Sequence, residues 1–192
     1  MKKKIWEKIK HKLPMLLFVF LCYLPFMIAN LVQTYMEEQS DVIYTCIGWI
    51  TVVLYFVNFI YPFFLRKKDS TGKELLFISM IAKILLIPIF VLNFIVAMGS
   101  FVIPIPILFI FIVPIMFLLD VLLLILTSIY GINGLVVAYK AKKISTASLV
   151  IHIVLHIFFC FDVISAIYIF IKIKLKERKL KKQEKKKIEK EV

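Results

Sequence analysis

Cysteine, glycine and acidic residues are all scarce in this chain, and each shortage removes a class of protein. The three cysteines, Cys22, Cys46 and Cys160, lie within apolar runs and show neither CxxC spacing nor the density of a disulfide framework. They read as small buried hydrophobes. Glycine occurs five times, with no glycine-rich phosphate loop and no internal repeat. Twelve Asp and Glu stand against 25 Lys and Arg, and no GxSxG, HExxH or paired-glutamate protease motif is present. An enzyme is therefore not the expectation, and no cofactor is implied.

What the chain has in abundance is apolar length. Hydrophobic residues make up 62%, charged residues only 19%, and the mean hydropathy is +0.96, more than a water-soluble domain of this size can hide in one core. A hydrocarbon layer about 30 Å thick needs about 20 apolar residues of helix. Lipid also leaves backbone amides no partner outside a helix or a closed barrel. The expected fold is thus all-α, a polytopic transmembrane bundle of about five helices with a basic C-terminal tail.

The expected spans are about 13–33, 42–65, 75–98, 107–139 and 147–171, forming one integral membrane domain over 1–171, followed by the lysine-rich tail 172–192. The first run follows a lysine-rich start, but it is too long for a signal h-region and lacks a small-x-small cleavage site. Asp69-Ser70-Thr71-Gly72 supplies turn chemistry after span 2. Gly99-Ser100 with Pro104 and Pro106 ends span 3 without a charge. The fourth run, at about 50 Å if straight, is expected to tilt, protrude or break near Gly131-Ile132-Asn133-Gly134.

The net charge of +13 is concentrated at the ends: six Lys against one Glu in residues 1–12, and eleven Lys and Arg against four Glu in 172–192. Basic segments joined directly to spans sit on anionic lipid headgroups and orient the protein, so the partners expected are the bilayer and its headgroups rather than nucleic acid. Arg66, Lys67, Lys68 and Lys73 mark the second connection as cytoplasmic, while Glu37, Glu38 and Asp41 mark the first as external. This places the N-terminus in the cytoplasm of a bacterial-type plasma membrane.

Five spans then send the most basic segment outside, against the rule that orients every other junction. Six short spans would need a reversal near Asp120 that has almost no turn residues. A re-entrant hairpin over 147–171 would also reconcile the charges, but nothing in the middle of that run reads as a helix breaker. The side of the tail stays open at this level, and insertion in both orientations is a further alternative.

Ionisable groups are costly in lipid, so Lys83, Asp120, His152, His156 and Asp162 are the candidate functional residues, with Asn93 beside them. Each has a plainer reading. Lys83 can snorkel its ammonium toward the interface, or pair with Asp120 to fix how helices 3 and 4 pack. His152, His156 and Cys160 share one stripe of a continuous helix, a loose metal-ligand spacing that equally describes inward-facing packing. Asn30, Asn58, Asn93 and Asn133 suit interhelical hydrogen bonds. Pro25, Pro88 and Pro114 suit kinks.

The leading expectation is a small non-enzymatic membrane partner, regulatory or accessory subunit, in contact with a membrane protein or with copies of itself. The alternatives are an oligomeric transporter or channel lined by Lys83, Asn93 and Asp120, and an intramembrane enzyme or metal-binding protein using His152, His156 and Asp162.

Overall fold

The computed structural model of the chain describes residues 11–35, 40–69, 71–102, 106–156 and 158–191, and every regular element among them is an α-helix. In chain order these are α1 (Leu13–Tyr35), α2 (Ser40–Lys68), α3 (Lys73–Val102), α4 (Pro106–Lys140), α5 (Thr146–Leu155) and α6 (Phe159–Glu191). Three stretches among the described residues are long and apolar enough to cross a membrane: Asp41–Lys68, Lys73–Ser100 and Ile110–Lys140.

The fourth run does not take the break, one of its three expected options, and the third ends a few residues beyond its expected limit. Helix α4 runs unbroken through Gly131-Ile132-Asn133-Gly134, and α3 runs through Gly99-Ser100 to Val102. The run 147–171, by contrast, is not one helix. It stops at His156, which caps α5 with φ −71° and ψ −10°, and a new helix starts at Phe159. The stripe of His152, His156 and Cys160 on one continuous helix therefore does not exist, and the Cys160 side chain lies outside the described residues.

The chain divides into two compact units: Met1–Tyr61 with Ala82–Leu126, and Pro62–Ile81 with Thr127–Val192. In the first, Asn58 Nδ2 on α2 donates to Pro14 O on α1 at 3.0 Å, the Tyr23 hydroxyl donates to Leu85 O near Pro88, and Asn93 Nδ2 on α3 donates to Asp120 Oδ1 on α4 at 2.6 Å. Bonds of this kind are worth about 0.6–2 kcal/mol in lipid, where apolar burial alone drives little association.

The second unit has a core of Leu76, Leu135, Ala138, Ile144, Ile169, Phe170 and Ile173. The start of α3 is organised by the buried Asp69. The Oδ1 of Asp69 accepts the amides of Thr71 (3.1 Å) and Gly72 (2.9 Å), and its Oδ2 those of Glu74 (3.0 Å) and Leu75 (3.2 Å). One carboxylate thus serves amides that the first turn of α3 cannot pair internally. Gly72 adopts φ +73°, and a Cβ there would strike Gly134 O, so only glycine satisfies both the turn and the approach to α4.

Helices α5 and α6 form an antiparallel hairpin. As residue number falls from His156 to His152 to Lys143, the hydrogen-bonded partner rises from Asp162 to Ser165 to Lys176. The hairpin's open end is held by Glu177, which accepts Lys143 Nζ and, at 3.2 Å, Lys73 Nζ. Lys176 Nζ adds bonds to Lys142 O (3.2 Å) and Lys143 O (2.9 Å).

Candidate functional site

The polar residues of the second unit converge on the closed end of that hairpin. A helix that stops inside an apolar run strands backbone carbonyls, and here Ser128 Oγ of α4 donates to His156 O at 3.1 Å. The His156 imidazole turns back across the break, and its Nδ1 is hydrogen-bonded to Asp162 Oδ1 in the first turn of α6, where the helix dipole also favours a carboxylate. Both residues are 1% exposed.

The other edge of the His156 ring meets Gly131. A Cβ built on Gly131 would lie 2.7 Å from His156 Nε2 and 3.0 Å from Ser79 Oγ, so the ring fits against α4 only because that side chain is missing. Ser79 Oγ in turn donates to Thr127 O at 2.9 Å. Groups from four helices, at 79, 127–131, 156 and 162, therefore meet at one buried point.

One turn back along α5, His152 Nδ1 is hydrogen-bonded to Ser165 Oγ at 2.7 Å, and its ring stacks on Tyr168 with centroids 5.6 Å apart. A cavity of about 470 Å³ opens beside His152, lined chiefly by Ile151, Leu155, Phe161, Ile164 and Tyr168. It does not include His156. Chemically the cluster can fix two helices to two others and can hold a proton between imidazole and carboxylate. Among the described residues, no group of three or more His, Cys, Asp or Glu is placed to hold a metal ion.

The remaining sequence candidates lie in the first unit. Asp120 is bound by Asn93, ten positions beyond Lys83 on α3, which is about 15 Å of helix rise and beyond the stem of Lys83. The proposed Lys83 and Asp120 pair is replaced by the Asn93 and Asp120 pair. Lys83 is itself 1% exposed, so its ammonium is inside the protein rather than extended along the surface.

Sequence reasoning found His156 and Asp162 but missed Ser79, Ser128, Gly131 and Ser165. A signal was present: Ser128, Gly131, Gly134 and Ala138 recur every three or four residues, a small-residue stripe that lets helices approach closely. Of the asparagines, Asn58, Asn93 and Asn133 each bond to another helix, Asn133 Oδ1 accepting Arg66 Nη1 at 3.5 Å. The Asn30 side chain lies outside the described residues.

At the open end of the hairpin the Glu177 carboxylate is bracketed by two lysines. Burial pushes the Glu177 carboxyl up, but hydrogen bonds and charge from Lys143 and Lys73 outweigh it and hold the group below its ordinary value.

Residues 6–175 match a family model described as a family of unknown function (DUF6652). No curated protein and no solved structure matches the chain.

Proposed function

We propose that this chain, which belongs to the DUF6652 family of unknown function, is a small integral protein of the plasma membrane that works as a non-enzymatic partner or accessory subunit. In this reading α1 to α4 cross the bilayer, and α5 with the start of α6 forms a re-entrant hairpin. Ten residues of α5 span about 15 Å, half of a hydrocarbon layer, before the chain turns back. Lys143 and Glu177 then lie at the same face, which returns the tail to the cytoplasm with the N-terminus. All 25 Lys and Arg except Lys83 fall on the cytoplasmic side, and the positive-inside rule holds throughout.

The observation that carries the accessory reading is the seating of His156 directly on Gly131 with Nδ1 on Asp162. The His156 Nδ1 is engaged with Asp162 and its carbonyl with Ser128 of α4, as a clasp requires, and the ring lies directly against the α4 backbone. Non-helical backbone at membrane depth is tolerated when buried in protein in this way.

Topology is tested by single-cysteine labelling with a membrane-impermeant maleimide. Asp41→Cys should react in intact cells and Lys182→Cys only after lysis. Labelling of Lys182→Cys in intact cells would overturn the hairpin topology. The accessory role is tested by photo-crosslinking from Phe56 on the lipid-exposed face of α2, expected to give one discrete protein adduct. Adducts to lipid alone, with solute flux in proteoliposomes, would replace it.

A second reading, a small transporter, draws on the helix break itself, since discontinuous helices with a buried ionisable pair are how many transporters build a midplane site. Flux that disappears in Asp162→Asn while the fold is retained would select it.

A further inference from the structure

A second cluster of charge lies apart from the hairpin clasp, where α2 and α4 end. There a cavity of about 680 Å³ is lined by Phe63, Arg66, Lys67, Val137, Lys140 and Ala141. Three of its six lining residues are cations, none is a carboxylate, and the two large apolar ones, Phe63 and Val137, lie one turn further into their helices. The site therefore has an apolar floor beneath a cationic rim.

None of the unit's carboxylates lines the cavity, and three of them are committed elsewhere. Asp69 accepts backbone amides of the α3 turn, Asp162 is bonded to His156, and Glu177 takes Lys73 and Lys143. Nor is Lys140 needed to cap α4. The amides of Ala141, Lys142 and Lys143 bond to Val137 O, Tyr139 O and Ala138 O, and Lys176 Nζ serves the carbonyls of Lys142 and Lys143. Arg66 is oriented by Asn133 Oδ1, and Asn133 is anchored through its Nδ2 on Ile129 O at 2.9 Å.

We infer that this cavity is a binding site for an anionic glycerophospholipid, with the phosphate held by Arg66, Lys67 and Lys140 and the first acyl carbons along Phe63 and Val137. Basic pockets between spans on the cytoplasmic side recognise such headgroups, and guanidinium suits phosphate through paired N–H donors. The inference rests on the membrane reading above, and it differs from general attraction of the lysine-rich ends to lipid because it names one cavity with a defined lining.

The test is native mass spectrometry of the delipidated full-length protein in detergent, titrated with phosphatidylglycerol, phosphatidylcholine or inorganic phosphate. Phosphatidylglycerol should bind with one-to-one stoichiometry, well ahead of phosphatidylcholine, and inorganic phosphate should not displace it. The double variant Lys67→Gln with Lys140→Gln should weaken binding about 30-fold, from the attraction each interfacial cation adds. Ala141→Glu should give a comparable loss by placing a carboxylate in the rim. Arg178→Gln with Lys179→Gln, the same charge change on the tail, should leave binding within about twofold.

Equal losses from the two double variants would reduce the site to general charge and overturn the inference, as would equal binding of phosphatidylcholine. Displacement by inorganic phosphate would assign a phosphate site instead of a lipid site. Binding in micelles is independent of which side the cavity faces, so a failed topology in the labelling experiment and a failed lipid site here are separate results.

Discussion

His156 and Asp162 face each other across a gap in the helix rather than along one, and that bond closes the hairpin of α5 and α6 at its buried end. Because each side chain is 1% exposed, removing one strands the other. Asp162→Ala and His156→Ala should each destabilise strongly, and the double variant should lose less than their sum, with a coupling of about 1–3 kcal/mol. Thermal unfolding of the four proteins in detergent measures it, and strictly additive losses would mean the pair is not a clasp.

Gly131→Ala tests the same contact from α4. Helix propensity alone would favour alanine by about 1 kcal/mol, yet its Cβ would sit 2.7 Å from His156 Nε2. We expect net destabilisation that largely disappears in a His156→Ala background, read as the shift in melting temperature in each background. A stabilising Gly131→Ala in the unaltered protein would show that the ring is not seated there.

Lys142 is the single non-glycine residue with positive φ among the described residues, at 54°, and it ends α4 in a left-handed cap whose following amide, Lys143 N, bonds back to Ala138 O. That backbone state costs a side-chain-bearing residue roughly 1 kcal/mol or more. Lys142→Gly should raise the unfolding midpoint, despite glycine's extra freedom in the unfolded chain. An unchanged or lowered midpoint would indicate that Lys142 contributes more through its side chain than its backbone loses.

Acid should open the hairpin at its base. The Glu177 carboxyl is held below its ordinary value in the folded protein. Its stabilising contribution is therefore complete above the unfolded carboxyl value and is lost as pH falls through the lower folded one. Cysteine reactivity or hydrogen exchange at residues 142–146, followed downward from neutral pH, should rise in that window. Glu177→Gln should show the raised reactivity already at neutral pH, and identical profiles for the two proteins would remove Glu177 from the account.

The capping role of Asp69 gives a further comparison. Asp69→Ala leaves the amides of residues 71, 72, 74 and 75 to find other partners, and a loss of at least about 1–2 kcal/mol is expected. Asp69→Asn, which keeps an acceptor oxygen, should recover part of it. Equal stability of all three proteins in a denaturant or thermal series would show that solvent meets the demand of those amides.

Helical apolar runs could be read directly, because a window of apolar residues announces itself without reference to its neighbours. The expected ranges 42–65, 75–98 and 107–139 fall inside α2, α3 and α4. Asparagine in such runs also announces its need for a partner, and Asn58, Asn93 and Asn133 each found one. The prolines Pro25, Pro88 and Pro114 are all accommodated inside helices.

The break after Leu155 was not readable from its own segment, since residues 147–171 contain neither proline nor glycine. What makes the break tenable sits elsewhere: Ser128 to receive a stranded carbonyl, and Gly131 to admit the imidazole. The same glycine misled local reasoning on α4, where it reads as a weak point of the helix and serves as a point of contact.

Composition and run length alone therefore determined that the chain is helical with stretches long enough for a bilayer, because backbone amides in an apolar surrounding have only the helix to satisfy them within a segment. Which run would fold back on itself, and which ionisable groups would meet, was decided by tertiary structure. Those outcomes depend on groups from separate helices supplying each other's missing hydrogen bonds and space, and no single stretch of sequence encodes that exchange.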